Sequence, residues 1–158
     1  MKKLTPKFTV LTPAQSRRVL QRNHVGRLAY RTAGTVDIVP LGYVTQGRWI
    51  YLRSGDGTKL AALARDPYVA FQVDEVAGPF DWKSVVVKGT VYMLEQYGGP
   101  VQRREHEKAV RLMRTIMPAA LTPDDPVPER HHIYGLNIQN ITGRAARSTT
   151  AARRRTRR

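Results

Sequence analysis

The sequence has no cysteine among its 158 residues. Disulfide staples, thiolate metal sites and a cysteine nucleophile are therefore excluded, and any redox chemistry has to be carried by a bound cofactor. Acidic residues are scarce: 12 Asp and Glu stand against 27 Lys and Arg, for a formal net charge of +15. No apolar run approaches the roughly 20 residues that a membrane helix needs. The basic start, Met1-Lys2-Lys3-Leu4-Thr5-Pro6, has no apolar stretch behind it. Neither a membrane span nor a secretory leader is expected, and the expected location is the cytoplasm. Internal repeats are also missing. The length fits one domain able to bury a sizeable core.

What charge there is lies unevenly. Residues 144–158 carry seven Arg and no acid, so they hold +7 of the +15 and leave +8 to the rest. This stretch has no large apolar residue with which to offset its ordering entropy. It is expected to be a disordered Arg-rich tail behind a domain at 1–143. Such a tail can bind nucleic acid by counterion release, but it lacks the aromatic side chains that stack on bases, and a solvated tail is favoured.

The remainder reads as strands with a few helices. Residues 1–11 form a leading segment. Thr12-Pro13-Ala14-Gln15 has the form of a capped helix start, with a helix to about Asn23, Val19 and Leu20 facing inward and Gly26 as its stop. Strands are expected over 27–31, 36–45 and 49–53, with turns at Ala33-Gly34 and Gln46-Gly47. Pro40 inside the second of these marks an edge, a bulge or a ligand-facing irregularity. The stretch TKLAALAR (58–65) reads as a helix with Leu60, Leu63 and Ala64 on one face, followed by a strand over 68–76. The 83–96 strand is apolar on both faces, so it belongs in a barrel wall that meets a second surface. A long amphipathic helix over 101–117, a loop with four prolines and a last strand over 133–142 complete the chain. About six strands joined by hairpins or one short helix favour a small, mainly antiparallel barrel with accessory helices.

Two segments could carry chemistry. Arg53-Ser54-Gly55-Asp56-Gly57-Thr58-Lys59 runs from strand through a Gly-rich loop into a helix. Free N–H groups at the helix start, together with Arg53, Ser54, Thr58 and Lys59, suit a phosphate. It is neither a Walker A loop nor a complete GxGxxG; a plain connector capped by Thr58 is the alternative. Asp81-Trp82-Lys83-Ser84 places a Trp at a loop–strand junction, where it can stack on a planar ligand or plug a barrel end. Tyr43 and Tyr51 are candidates for the barrel mouth, with core packing expected for at least one. His24 reads as a cap or packing residue. His131 and His132, near Asp124, Asp125 and Glu129, diverge as neighbours on a Pro-rich loop, so no metal site is expected there.

Taken in order, GRLAY (26–30), IVPLGY (38–43), RSGDGTKL (53–60), VAFQVDE (69–75) and WKSVVVKG (82–89) resemble the pyridoxamine 5′-phosphate oxidase-like FMN-binding split β-barrel family, and within it the nitroimidazole-resistance branch. The likeness spans about residues 12–96 and the last strand. It implies a homodimer with two flavin sites at the interface. Asp37, Ile38, Val39 and Pro40 would lie along the isoalloxazine ring. Arg53, Ser54, Thr58 and Lys59 would hold the phosphate, with Trp82 and Ser84 supplied by the partner subunit. The implied function is an oxidoreductase using FMN for hydride transfer to or from an unidentified small molecule. No side chain is marked as an acid or base.

Two departures qualify what the resemblance implies. After Ile141-Thr142-Gly143-Arg144 there is no Trp, so the C-terminal stretch that completes vitamin B6 oxidases is missing and that activity is not expected. The family's Gly before the Trp is replaced by Asp81, a carboxylate near the proposed ring that would suit another ring system such as a deazaflavin. A haem-binding relative on the same fold and a non-enzymatic flavin carrier are the remaining alternatives.

Overall fold

The structure, a computed structural model, describes residues 4–150. Its elements in chain order are β1 (Leu4–Leu11), α1 (Pro13–Arg22), β2 (Val25–Thr32), β3 (Thr35–Gln46), β4 (Trp49–Ser54), α2 (Thr58–Arg65), β5 (Tyr68–Gly78), β6 (Asp81–Leu94), α3 (Pro100–Met113) and β7 (His132–Thr150). The sheet order is β1-β7-β4-β3-β2-β5-β6, and a further β7–β6 pairing closes six of the strands into a ring. Every pairing is antiparallel. The expected mainly antiparallel split barrel is what forms, with seven strands where about six were read.

Local chemistry explains several elements. Thr12 accepts from Gln15 N–H at 3.1 Å while the Gln15 side chain accepts from Thr12 N–H at 2.8 Å, a complete capping box with Pro13 behind it. α1 then buries Val19 and Leu20 as read. It ends at Asn23, and Gly26 is a residue of β2 instead. A Cβ on Gly26 would stand 2.2 Å from the Phe71 ring, so the glycine serves close packing inside the barrel rather than a helix stop. Ala33 and Gly34, both at positive φ, make the β2–β3 hairpin. In α2, Ala62 and Leu63 are buried with Leu60 packed against the same core, whereas Ala64 faces solvent.

Inside the ring, Leu28, Ile50, Leu52, Phe71, Val73, Val85, Val87 and Leu136 are all at most 1% exposed. A second apolar cluster lies outside the wall: Val44, Tyr51, Leu94 and Ile133 meet Ala109 and Met113 of α3 and Ala120 beyond it. The strand buried on both faces is chiefly β4. Ile50 and Leu52 point into the barrel and Tyr51 into the outer cluster. β6 contributes Leu94 to that cluster but leaves Tyr92 exposed.

The ends of the chain depart furthest from expectation. β1 forms in the leading segment and pairs with the second half of β7, Leu4 opposite Thr150 through Leu11 opposite Gly143. Residues 144–150 are therefore strand, not tail, and the domain does not stop at 143. Trp82 on β6 and Phe8 on β1 stand either side of Ala146, which is 3% exposed between them. Backbone pairing along both edges of β7, with Phe8 and Trp82 over this small residue, replaces the missing large apolar side chains. The rest of the proposed tail, 151–158, lies outside the described residues. Among the described residues no helix is long and apolar enough to cross a membrane.

Gly89 sits at the register shift of the β6–β7 ladder, and a Cβ there would stand 1.9 Å from the Asn137 carbonyl oxygen. Because the clash is with backbone, Gly89→Ala should cost about 1–3 kcal/mol. Gly78→Ala, with nothing within 4 Å, should stay within about 0.5 kcal/mol of wild type. Urea unfolding checks both, and equal midpoints for the two variants would contradict the packing account.

Candidate functional site

β4 passes the chain to α2 through Gly55, Asp56 and Gly57. Gly57 has φ +144°, which a side chain rarely adopts. A Cβ on Gly55 would press 3.0 Å from the Glu129 carbonyl oxygen, so the loop lies tight against the segment that precedes β7. α2 starts with no capping side chain, leaving its first N–H groups and positive dipole end available. Lys59, half-buried, has its pKa lowered, first by burial and then by the like charge of Arg130, with Asp37 pulling it partly back. Arg130 and Asp37 therefore lie near enough for their charges to act on Lys59. Thr58 opens on a neighbouring cleft of about 640 Å³ with Thr35 and Val36. Two cations beside an uncapped helix start, with Asp37 nearby, are an arrangement able to hold an anion.

β3 supplies the wall next to it. Tyr43 to Gln46 pair with β4, but Thr35 to Gly42 pair only with β2, so this half of the strand has one edge without a strand. Pro40, which has no N–H to give, lies in that stretch. Val36 and Ile38 are 72% and 59% exposed there. Asp37 accepts from Tyr30 OH at 3.0 Å and from Ile38 N–H at 2.8 Å, which holds the carboxylate against its own strand. Sequence reasoning placed Asp37 to Pro40, Thr58 and Lys59 in one site; the structure sets Asp37 close enough to Lys59 for its charge to act there, and sets Thr58 on a cleft shared with Thr35 and Val36.

Arg53 is placed differently. Its guanidinium turns away from solvent, donates to Asp125 at 2.6 Å, and also donates to the carbonyls of Arg130 at 2.8 Å and Val127 at 3.3 Å. Both side chains of the ion pair are buried, at 8% and 1% exposure. Nη1 of Arg53 has no partner. The residue borders a cavity of about 120 Å³ with Tyr43, Met113, Met117 and Arg130. Its charge is thus spent on the segment that carries Arg130. Ser54 is also buried, its hydroxyl 3.4 Å from the Gly55 carbonyl. Arg130 is the residue that sequence reading missed; a lone Arg in a Pro-rich loop carries no local signal.

Trp82 and Ser84 lie elsewhere on the protomer. Ser84 accepts from Gln72 at 3.1 Å. Trp82 packs beside Phe8, ring centroids 6.3 Å apart, and lines a cavity of about 560 Å³ with Lys7, Arg18, Asp81 and Arg147. Tyr43 and Tyr51 are core residues: their hydroxyls donate to Leu20 O at 2.6 Å and Glu105 at 2.9 Å, and burial raises both pKa values well above the ordinary range.

A closed antiparallel ring with one wall strand left open beside a cationic helix start defines a split β-barrel protein. The pyridoxamine 5′-phosphate oxidase family model matches residues 12–145, and the chain belongs to that family. An uncharacterized Rhizobium meliloti protein is 28% identical over 145 residues, covering 87% of this chain and 94% of the relative. The solved structure of a Mesorhizobium loti FAD-binding protein is 28% identical with a TM-score of 0.69, covering 90% and 98% of the two chains. A Bacteroides thetaiotaomicron structure, assigned to 5-nitroimidazole antibiotic resistance, shares the fold at 17% identity and a TM-score of 0.67, covering 94% of each chain.

Asp125 also accepts from the N–H groups of Leu121 at 2.6 Å and Val127 at 3.0 Å. Arg53 first, then these two donors, hold its carboxyl at about 2, below the ordinary value of about 3.9. A depressed folded-state pKa adds stability above the unfolded value and loses it as pH falls through the folded one. Asp125→Asn should therefore lower Tm by a constant margin from about pH 5 to 8, and the margin should shrink as pH drops from about 4 toward 2. Thermal melts across pH test this; a margin that ignores pH would refute the assignment.

Proposed function

We propose that the protein is a flavin-dependent oxidoreductase that holds FMN at the α2 start and the open half of β3. The observation that carries this is a helix N-terminus with no capping side chain, where the half-buried Lys59 feels the charges of Arg130 and of Asp37 on the β3 wall but forms no ion pair among the described residues. The donor set fits a phosphate monoester: two cations, backbone N–H groups and the Thr58 hydroxyl. The exposed apolar side chains Val36 and Ile38 beside the unpaired edge suit a flat ring system. When bound, the flavin supplies the hydride chemistry. The chain's own work is to anchor the phosphate, orient the ring along Asp37 to Pro40 and limit access to it.

Trp82 lines a cavity to which no residue of α2 or of the loop before it contributes. The reading is therefore a homodimer in which Trp82 and Ser84 of one copy complete the site of the other. The Mesorhizobium loti relative, described as FAD-binding, supports the flavin class; FAD carries the same phosphate next to its ribityl chain. The protein should quench flavin fluorescence on titration. Lys59→Ala and Arg130→Ala should each weaken FMN binding roughly 10- to 100-fold, the worth of a charge-assisted hydrogen bond. Parallel titrations with FAD and a deazaflavin identify the preferred ring system. If both substitutions leave FMN affinity unchanged, the phosphate site is misplaced.

A further inference from the structure

The same Gly-rich loop carries a second constellation on its Asp56. Asp56 Oδ1 lies 2.5 Å from His132 Nε2 and 3.8 Å from His131 Nε2. The potential ligand atoms of the three residues lie within 4.8 Å of one another. Side chains of consecutive residues ordinarily diverge, but His132 opens β7 while His131 still belongs to the loop, and their rings stand 4.2 Å apart, tilted by 41°. His131 Nδ1 donates to the Glu129 carbonyl at 3.1 Å. That bond makes Nδ1 the donor and turns Nε2 toward Asp56, the outer-shell arrangement usual for a histidine that binds a metal through its deprotonated Nε2.

We propose that Asp56, His131 and His132 form a binding site for a divalent transition-metal cation of the zinc type. Two imidazoles and one carboxylate match the ligand preferences of such ions, and they exclude magnesium and calcium, which need oxygen donors. Ligands about 2.0 Å from a tetrahedral ion stand about 3.3 Å apart. Asp56 therefore has to give up its hydrogen bond with His132 and retreat by under about 1 Å, and it has to approach His131 by less, while the two imidazole nitrogens, within 4.8 Å of one another, close to the same spacing. The fourth position is left to water. The ion would clip the β4–α2 loop to the start of β7, joining segments far apart in sequence, and so would favour the folded chain. The inference rests on these three side chains and does not depend on the flavin reading.

The chain has four histidines, which supplies its own controls. Titrating the full-length protein with Zn²⁺ near neutral pH, by calorimetry and by thermal melts, should show one ion per chain and a raised Tm. Mg²⁺ should do neither. His131→Ala removes an exposed ligand at little risk to the fold; it and Asp56→Asn should weaken Zn²⁺ binding at least tenfold and abolish the Tm rise. His24→Ala and His106→Ala should bind as wild type does. The proposal is overturned if no zinc binds, if His131→Ala and Asp56→Asn bind it as tightly as wild type, or if the control variants lose it equally.

Discussion

Much of the site geometry depends on the buried ion pair between Arg53 and Asp125. Arg53 is delivered by the alternation of β4: Ile50 and Leu52 face the barrel core, so Tyr51 and Arg53 face out, into the space covered by α3 and the segment after it. A cation there can be buried only if it is matched. Asp125 matches it, and the carbonyls of Val127 and Arg130 take two more of its hydrogen bonds. The segment between α3 and β7 has no helix or strand of its own. These contacts and the bonds Asp125 makes to Leu121 and Val127 add to its own turn hydrogen bonds and to Arg114, which donates to the carbonyls of Ala120 and Leu121. Breaking either side would leave the other charged, buried and unpaired.

That anchoring decides what stands near the Gly-rich loop. Arg53 holds the carbonyl of Arg130, so the side chain of Arg130 emerges close enough to act on Lys59. Glu129 packs its carbonyl against Gly55 and accepts from His131, which turns the histidine pair toward Asp56. The proposed phosphate cradle and the proposed metal site thus draw on the same two segments, one carried by the barrel wall and one held by Arg53. In this arrangement Arg53 positions Arg130 through its backbone carbonyl.

The parts of the structure legible in the sequence are those governed by neighbours in the chain. Thr12 and Gln15 cap α1 over three residues, Ala33-Gly34 turns a hairpin in two, and TKLAALAR is a helix in its own right. Lys59 beside a helix start and Asp37 to Pro40 on an irregular strand were readable for the same reason. What was not readable depends on distant partners. β1 has hardly any buried side chain along LTPKFTVL and exists because β7 offers it an edge. The second half of β7 lacks the apolar residues that signal a strand, yet it is paired on both sides. Asp125 and Arg130 lie more than 70 positions from Arg53 and Lys59, and nothing in their local sequence announces the contact.

The net charge takes on a different meaning once these contacts are counted. A basic chain suggests a single anionic partner, but its cations have separate fates. Arg53 is neutralised internally, and Arg22 is bound to Glu75, whose carboxyl is lowered in pKa by that bond. Arg144 and Arg147, two of the seven that made the C-terminal stretch look like a nucleic-acid-binding tail, belong to β7, where Arg147 borders the Trp82 cavity. Other cations have no ion pair among the described residues, including Lys59 and Arg130 near the α2 start and Lys7, Arg18 and Arg147 around the Trp82 cavity. A diffuse polyanion would draw on many exposed charges at once. The uncapped start of α2, with Lys59 and Arg130 near it, is instead a compact feature whose size suits one phosphate group, and that is the ligand class the proposed function assigns to it.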